Sequence, residues 1–395
     1  MTPEERLRIL HVFRTPLGGL FRHVLDLARG QAARGHDVGI FCDSSTGGER
    51  ARSALAELEP HLTLGLIRIP MRRQVHPLDL YGIAALARAC RRLQPNVLHG
   101  HGSKGGAFAR SVVVPSRGAQ VIRAYTPHGG SFNYYPGSPA HRLFMGAEKL
   151  LARRTDVLLF ESDYIRDRFE TYCGSPPTLV RIAHNGLAEA EFAPLDRKLD
   201  PFDLVYVGEL RMAKGIETLI DAVALLRRQH GMRLTLMVVG SGPSGDELKA
   251  RAKERGIWDS TAFVPPQPIR QALAAARTIV ICSRAESLPY VVLEAVAAGQ
   301  PIVSTNVGGI PEIFGPYGHE LIPPDSPEAL AAKIMQVHGR SPAEQARISG
   351  ELSRYVRANF SLEGMISGVL AGYAFAAQGL APARPASSPS ALSVP

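Results

Sequence analysis

The sequence predicts an α/β protein made of two Rossmann-like, doubly wound parallel-sheet domains in series. Three observations point there. The chain has 395 residues, too many for one ordinary core and suited to two domains of about 100–200 residues. Short β-rich apolar runs alternate with helical patterns, the signature of a mostly parallel sheet covered on both faces. That alternation stops at a polar, proline-bearing stretch and then restarts.

In the first half, strands are expected at Arg8–Thr15, Asp37–Cys42, Leu62–Pro70, Asn96–His101, Gln120–Thr126, Asp156–Glu161 and Leu179–Ala183. Helices are expected from Leu20 to Gly35, from Pro77 to Leu93 with Pro95 as a stop, and from Pro139 to Arg154. The turn His184-Asn185-Gly186 and the segment AEAEFAPLDRKLDP mark the break. Strands then recur at Leu204–Val207, Leu234–Val239, Ala262–Val264, Thr278–Cys282 and Ile302–Ser304, with helices at Gly215–Arg228, Asp246–Arg255 and Tyr290–Ala298. The rest is helical through Ala331–Val337, Pro342–Asn359 and Leu362–Ala377. The resulting domains are 1–190 and 191–362, a C-terminal helix 363–377 expected to pack back on the first domain, and a disordered Pro/Ala/Ser-rich tail 378–395. Ligands of such sheets bind beyond the carboxyl ends of the strands, so two facing domains would enclose a cleft there.

Composition narrows the class. The chain is 45% hydrophobic and 21% charged, and no apolar run reaches the length of a membrane span. The N-terminus lacks the apolar core of a secretory signal, so a cytoplasmic location is expected. Cys42, Cys90, Cys173 and Cys282 lie far apart, with no paired spacing for zinc, redox chemistry or disulfides. The net charge of +9 is concentrated early: residues 1–191 hold 25 Lys and Arg against 17 Asp and Glu. A basic first half suits an anionic partner, either a membrane's inner face or a phosphate-bearing acceptor. Nucleic acid is disfavoured, because aromatics are not interleaved with the basic residues.

Five segments carry chemistry, each at the carboxyl end of an expected strand. ESLPYVVLEAVAAG holds Glu286 in a loop and Glu294 in the following helix, a spacing suited to two hydroxyl groups of an extended ligand. VYVGELRMAKGIETLIDA ends a strand at Gly208 and sets Arg211 and Lys214 before a glycine-led helix, as a diphosphate site requires. HVFRTPLGGLFRHVLDLARG places Gly18 and Gly19 where backbone can approach a ligand. HGHGSKGG offers His99 and His101, which lack an evident third metal ligand, and Lys104, a candidate for an anionic acceptor together with His101. YTPHGGSFNYYPGS carries His128, with Phe132, Tyr134 and Tyr135 available to an acceptor sugar face. The Gly240–Gly245 match to G-x-G-x-x-G is discounted as a dinucleotide site, because Asp259 precedes the next strand instead of ending it. No Asp-x-Asp pair is present, so no metal is expected and cations must neutralise any diphosphate.

In this order these segments resemble glycosyltransferase family 4, whose fold is GT-B. The resemblance rests on Gly18-Gly19, HGHGSKGG, TPHG, Asn185-Gly186, VGELRMAKG, the Glu286/Glu294 pair and VGGIPEI at 307–313. It implies a retaining glycosyltransferase acting on a UDP- or GDP-linked sugar without a metal, in polysaccharide, lipopolysaccharide or glycolipid assembly. The acceptor would be a sugar or a lipid-linked sugar. Position by position it implies Arg211 and Lys214 on the diphosphate and Glu294 on the ribose. Glu286, with the backbone of Ser287 and Leu288, would meet the transferred sugar. Gly18, Gly19 and Gly208 would lie on the phosphate side, and His128 near the reaction centre. The chain departs from the family at Ser287-Leu288-Pro289-Tyr290, at Val291 and at Glu209. A nucleotide-sugar epimerase, or a non-catalytic nucleotide-sugar-binding protein on the same fold, is the alternative.

Overall fold

In the computed structural model, residues 6–114 and 121–379 are described. The chain divides into two compact units. One comprises Met1–Phe160, Arg168–Ala183 and Ile366–Pro395; the other comprises Glu161–Asp167 and His184–Met365.

The first unit holds seven strands: β1 (Arg8–Phe13), β2 (Asp37–Asp43), β3 (Gly65–Ile69), β4 (Val97–His101), β5 (Ile122–Thr126), β6 (Val157–Phe160) and β7 (Leu179–Ile182). They form one parallel sheet in the order β3-β2-β1-β4-β5-β6-β7. β2 and β4 are buried along their whole length, β4 together with its two histidines, His99 and His101. One face is filled by Leu10, Val12, Leu98 and Phe108, the other by Phe13, Phe21, Val24 and Ile40. The helix Leu362–Gln378 contributes to this unit from Ile366 onward: a Cβ on Gly30 would meet Ile366 Cδ1 at 2.1 Å, and one on Gly372 would meet Leu159 Cδ2 at 2.7 Å. The expected tail falls, from residue 380, outside the described residues.

The second unit holds β8 (Phe202–Val207), β9 (Leu236–Val239), β10 (Thr261–Val264), β11 (Ala276–Ile281) and β12 (Ile302–Ser304), all parallel in the order β10-β9-β8-β11-β12. Two of its helices, Pro327–His338 and Pro342–Asn359, begin with serine caps. Ser326 accepts from the Ala329 N–H and Ser341 from the Glu344 N–H, each with a proline in the first turn. Glu312 accepts from the backbone N–H groups of Asp163 and Tyr164, both at 2.9 Å, and so fixes the 161–167 segment of this unit.

In each sheet the strand order reverses once, between β1 and β4 and between β8 and β11. Loops leaving such neighbouring strands diverge and leave a crevice at their carboxyl ends. The expected motifs follow these four strands and β5.

Helices Gly48–Leu58, Asp163–Cys173, Ile269–Ala274 and Ile310–Phe314 lie where none was placed from sequence. Helix Gly102–Ser111 is instructive, because HGHGSKGG reads as strand, glycine loop and helix. There is no loop: β4 ends at His101 and the helix starts at Gly102. A Cβ on Gly105 would lie 2.2 Å from Val12 O, and one on Gly106 2.2 Å from the Tyr125 ring. The glycines let this helix lie directly on the sheet, and that packing overrides their poor helix propensity.

Candidate active site

In the second unit, the β8 and β11 loops are locked together by backbone. Gly215 has φ +62°, and a Cβ there would sit 2.1 Å from Cys282 O. Arg284 N donates to Ala213 O at 3.0 Å, Cys282 Sγ lies 3.3 Å from Lys214 O, and the Arg284 guanidinium reaches Met212 O and Glu217. Lys214 therefore stands over the β11 loop. Its ammonium donates to Glu286 Oε1 at 2.5 Å, and Ser283 Oγ donates to the same oxygen at 2.6 Å. Both partners are largely buried, with side-chain exposures of 17% and 10%. Arg211 lies further out, 45% exposed, with its Nε 3.1 Å from Glu209 Oε2.

The loop after Glu286 is held equally firmly. A Cβ on Gly308, at φ +61°, would come within 1.8 Å of Glu286 O, and Gly309 N donates to Ser287 O at 2.8 Å. Asn185 Nδ2 donates to Leu288 O at 2.8 Å. Leu288 is buried, and Val292 and Leu293 anchor the helix Tyr290–Ala297 in the core, leaving Glu294 half-buried in its second turn. The segments Asn185-Gly186 and VGGIPEI thus serve to shape the Glu286 loop. Gly208 ends β8, and a Cβ there would press on Tyr206 Oη at 2.6 Å. The discounted G-x-G-x-x-G has a packing reason, since a Cβ on Gly242 would meet Leu210 O at 2.4 Å.

In the first unit, Gly18 has φ +66° and opens the helix Gly18–Ala33 with Gly19. A Cβ at Gly18 would meet nothing within 4 Å, so its glycine serves the backbone turn and leaves the helix start open. Beside it lies a cluster of histidines. β1 and β4 run in register with His11 opposite His99. His11 Nδ1 is 2.9 Å from His101 Nε2, and His11 Nε2 is 2.8 Å from Gln31 Oε1. His101 Nδ1 is 3.2 Å from His128 Nε2. His99 spans Tyr373 Oη at 2.7 Å and Thr126 Oγ1 at 2.9 Å. His23 meets the His128 ring edge-on, 4.7 Å between centroids. Burial lowers the pKa of His11 to about 4, and holds His99, His101 and His128 well below the usual range, so all four are neutral at pH 7.

Three expectations change here. Lys104, read as a free cation for an acceptor, donates to both Asp79 oxygens at 2.8 and 2.9 Å and to Gln74 O at 2.7 Å. It ties its helix to the start of Leu78–Leu93. His101, read as an acceptor contact, is 1% exposed within the histidine cluster. A third candidate ligand, not evident from sequence, is present: His11, His99 and His101, and likewise His23, His101 and His128, bring ligand-type nitrogens within 4.8 Å of one another. Of the loop aromatics, Phe132 is fully buried, its ring tilted 44° to that of Phe169 with centroids 5.7 Å apart, while Tyr135 is 82% exposed. Sequence reasoning missed His11, His23, Gln31 and Tyr373. Their only signal is the parity of His99 and His101 on one strand face, and it becomes useful once β1 is known to lie in register beside β4.

Two family models account for most of the chain. "Glycosyltransferase Family 4" matches residues 17–190 and "Glycosyl transferases group 1" matches residues 188–349. A Bacillus subtilis protein named as the teichuronic acid biosynthesis glycosyltransferase TuaC is 30% identical over 285 residues, 68% of each chain. The chain belongs to glycosyltransferase family 4. A Mycobacterium tuberculosis glycogen synthase is 29% identical over 368 residues, covering 84% of this chain and 85% of that one. Among solved structures, Anabaena HepE in complex with UDP and glucose superposes with a TM-score of 0.73 at 19% identity, over 93% of this chain and all of that one. That likeness shows the two-domain α/β GT-B fold. This family 4 member is a glycosyltransferase. Among the described residues, no helix is long and apolar enough to cross a membrane.

Proposed function

We propose that this enzyme transfers a hexose, with retention of configuration, from a UDP- or GDP-linked donor to a sugar or lipid-linked sugar. The observation that carries the reading is the Lys214–Glu286 pair at the β8/β11 switch point, with Ser283 on the same carboxylate oxygen. A part-buried ammonium and carboxylate are each costly to leave alone, so in the free enzyme they satisfy one another. A donor diphosphate offers the ammonium a more highly charged acceptor, and sugar hydroxyls offer the carboxylate new donors. Binding thus exchanges one internal ion pair for two ligand contacts, without orphaning either group.

Arg211, more exposed and paired only with Glu209, adds charge to the diphosphate. Glu294 takes the ribose hydroxyls, and the backbone of Gly18, Gly19 and Gly208 lies on the phosphate side. The backbone of Ser287 and Leu288 supports the transferred sugar, which His128 also hydrogen-bonds. As the C1–O bond breaks through an oxocarbenium-like state, charge grows on the leaving diphosphate where Lys214 and Arg211 are already fixed. The acceptor attacks from the same face, and the leaving phosphate takes its proton. The sequence has no Asp-x-Asp pair, and the cations take the role a metal would fill, so activity is expected to persist in chelator. HepE, solved with UDP and glucose, supports a uridine-type donor for a related fold. The basic first unit suits an acceptor at the inner face of an anionic membrane.

The test is a panel of UDP- and GDP-hexoses with lipid-linked and free sugar acceptors, the products being read by mass and by the NMR coupling of the new anomeric proton. Transfer with the donor's anomeric configuration supports the reading. An inverted product, or epimerised donor with no transfer, overturns it.

A further inference from the structure

We propose that Gln31 acts through His11 and His101 to fix the tautomer of His128, so that His128 offers Nδ1 as a hydrogen-bond acceptor to a hydroxyl of the transferred sugar. The inference rests on the placing of His128 at that sugar in the reading above.

The argument is one of proton counting along a chain. Gln31 Oε1 can only accept, so the His11 Nε2 facing it at 2.8 Å must carry hydrogen. A neutral imidazole has one N–H, which leaves His11 Nδ1 bare. The facing His101 Nε2, at 2.9 Å, must then donate. That leaves His101 Nδ1 bare, and the His128 Nε2 at 3.2 Å must donate to it. His128 Nδ1 is left with its lone pair, since Nε2 is the nitrogen that meets His101. Each ring-to-ring contact, at 2.9 and 3.2 Å, needs one N–H and one lone pair between its two nitrogens, and the His11 and His101 rings are shut off from water.

If the Gln31 amide were reversed, the whole chain would reverse and His128 Nδ1 would become a donor. One buried amide therefore sets the polarity of a site three rings away. Gln31 is fully buried, and its Nε2 has no hydrogen-bond partner among the described residues. His128 is also held in the left-handed region at φ +54°, followed by Gly129 at φ +74°. A non-glycine there is strained and persists only when its surroundings fix it. The partly exposed ring is thus fixed in place and in polarity before any ligand arrives. A bare nitrogen selects a hydroxyl and rejects a phosphate oxygen, which can only accept.

Gln31, His11 and His101 are positioning residues in this account. The test is nitrogen NMR of the full chain with ¹⁵N-labelled histidine at pH 7.5, with His128 assigned by its loss in His128→Ala. In the wild type, Nε2 is expected to be protonated and Nδ1 bare. In Gln31→Leu the His128 signals shift toward the other tautomer, and kcat/KM for the donor falls about tenfold, the scale of one lost hydrogen bond. A protonated Nδ1 in the wild type overturns the proposal even if the variant does not fold, as does an unmoved His128 in a folded Gln31→Leu. So does a stoichiometric metal in the purified protein, since an ion between His101 and His128 would replace the shared proton. If His128→Ala turns over donor like the wild type, it is the placing of His128 at the sugar that fails, while the tautomer result stands on its own.

Discussion

Lys214 and Glu286 are separated by 72 residues and joined at 2.5 Å, and their ion pair shows how single residues in this enzyme are satisfied before a ligand arrives. The histidines follow the same logic without charge. In the unfolded chain each titrates near 6.5, whereas in the fold His11 titrates near 4 and His99, His101 and His128 well below the usual range. The charges bearing on these rings are one another's and that of His23. A depressed histidine costs nothing above pH 6.5 and destabilises the fold as pH falls toward its folded value. Each is therefore expected to remove about 1.4 kcal/mol by pH 5.5. The carboxylates lowered by partners, among them Asp37, Asp221 and Glu320, add their loss only below about pH 4.5. Denaturant unfolding from pH 7.5 to 5 should show the midpoint dropping below pH 6.5, and a flat profile over that span would contradict neutral burial. The placing of Lys214, Glu286 and His128 after strand ends was legible in sequence. The pairing of Lys104 with Asp79 was not legible, because Asp79 lies 25 residues upstream, where spacing says nothing about contact.

Elements are held by polar ties as much as by apolar packing. Helix Gly102–Ser111 carries Arg110, fully buried, whose Nη2 meets Glu148 Oε2 of helix Pro139–Ala152 at 2.7 Å. Arg110 lies 3.6 Å over the Tyr125 ring, while Tyr125 Oη and Ser131 Oγ donate to Glu148 Oε1 at 2.9 and 3.2 Å. One carboxylate thus joins two helices, β5 and the loop that follows His128. Arg110→Met leaves Glu148 buried and unpaired, and should cost about 3–5 kcal/mol in denaturant unfolding. Adding Glu148→Leu should recover much of that loss. A cost under about 1 kcal/mol for the single change would show the pair to be idle. The strands themselves were legible to within three residues at each end, because buried parallel strands leave unbroken apolar runs. The helix Gly102–Ser111 was not, because its glycines answer to Val12 and Tyr125 across the sheet and not to local propensity.

At the scale of the whole molecule, two sheets each reverse order once, and the chemistry-bearing loops of each unit leave the strands at that reversal or beside it. The doubling was legible from the restart of alternation after Asn185-Gly186. The assignment of 161–167 to the second unit was not, because it depends on Glu312 capping Asp163 and Tyr164 from far along the chain. The central claim is that the Lys214–Glu286 pair opens to receive a sugar nucleotide. It is tested most directly by measuring turnover and donor affinity of Lys214→Ala against the wild type with the preferred donor. The account predicts a fall in turnover of about 10²-fold or more, the scale of losing one preorganised charge at the leaving group, with the fold intact. Turnover and affinity equal to the wild type would contradict it.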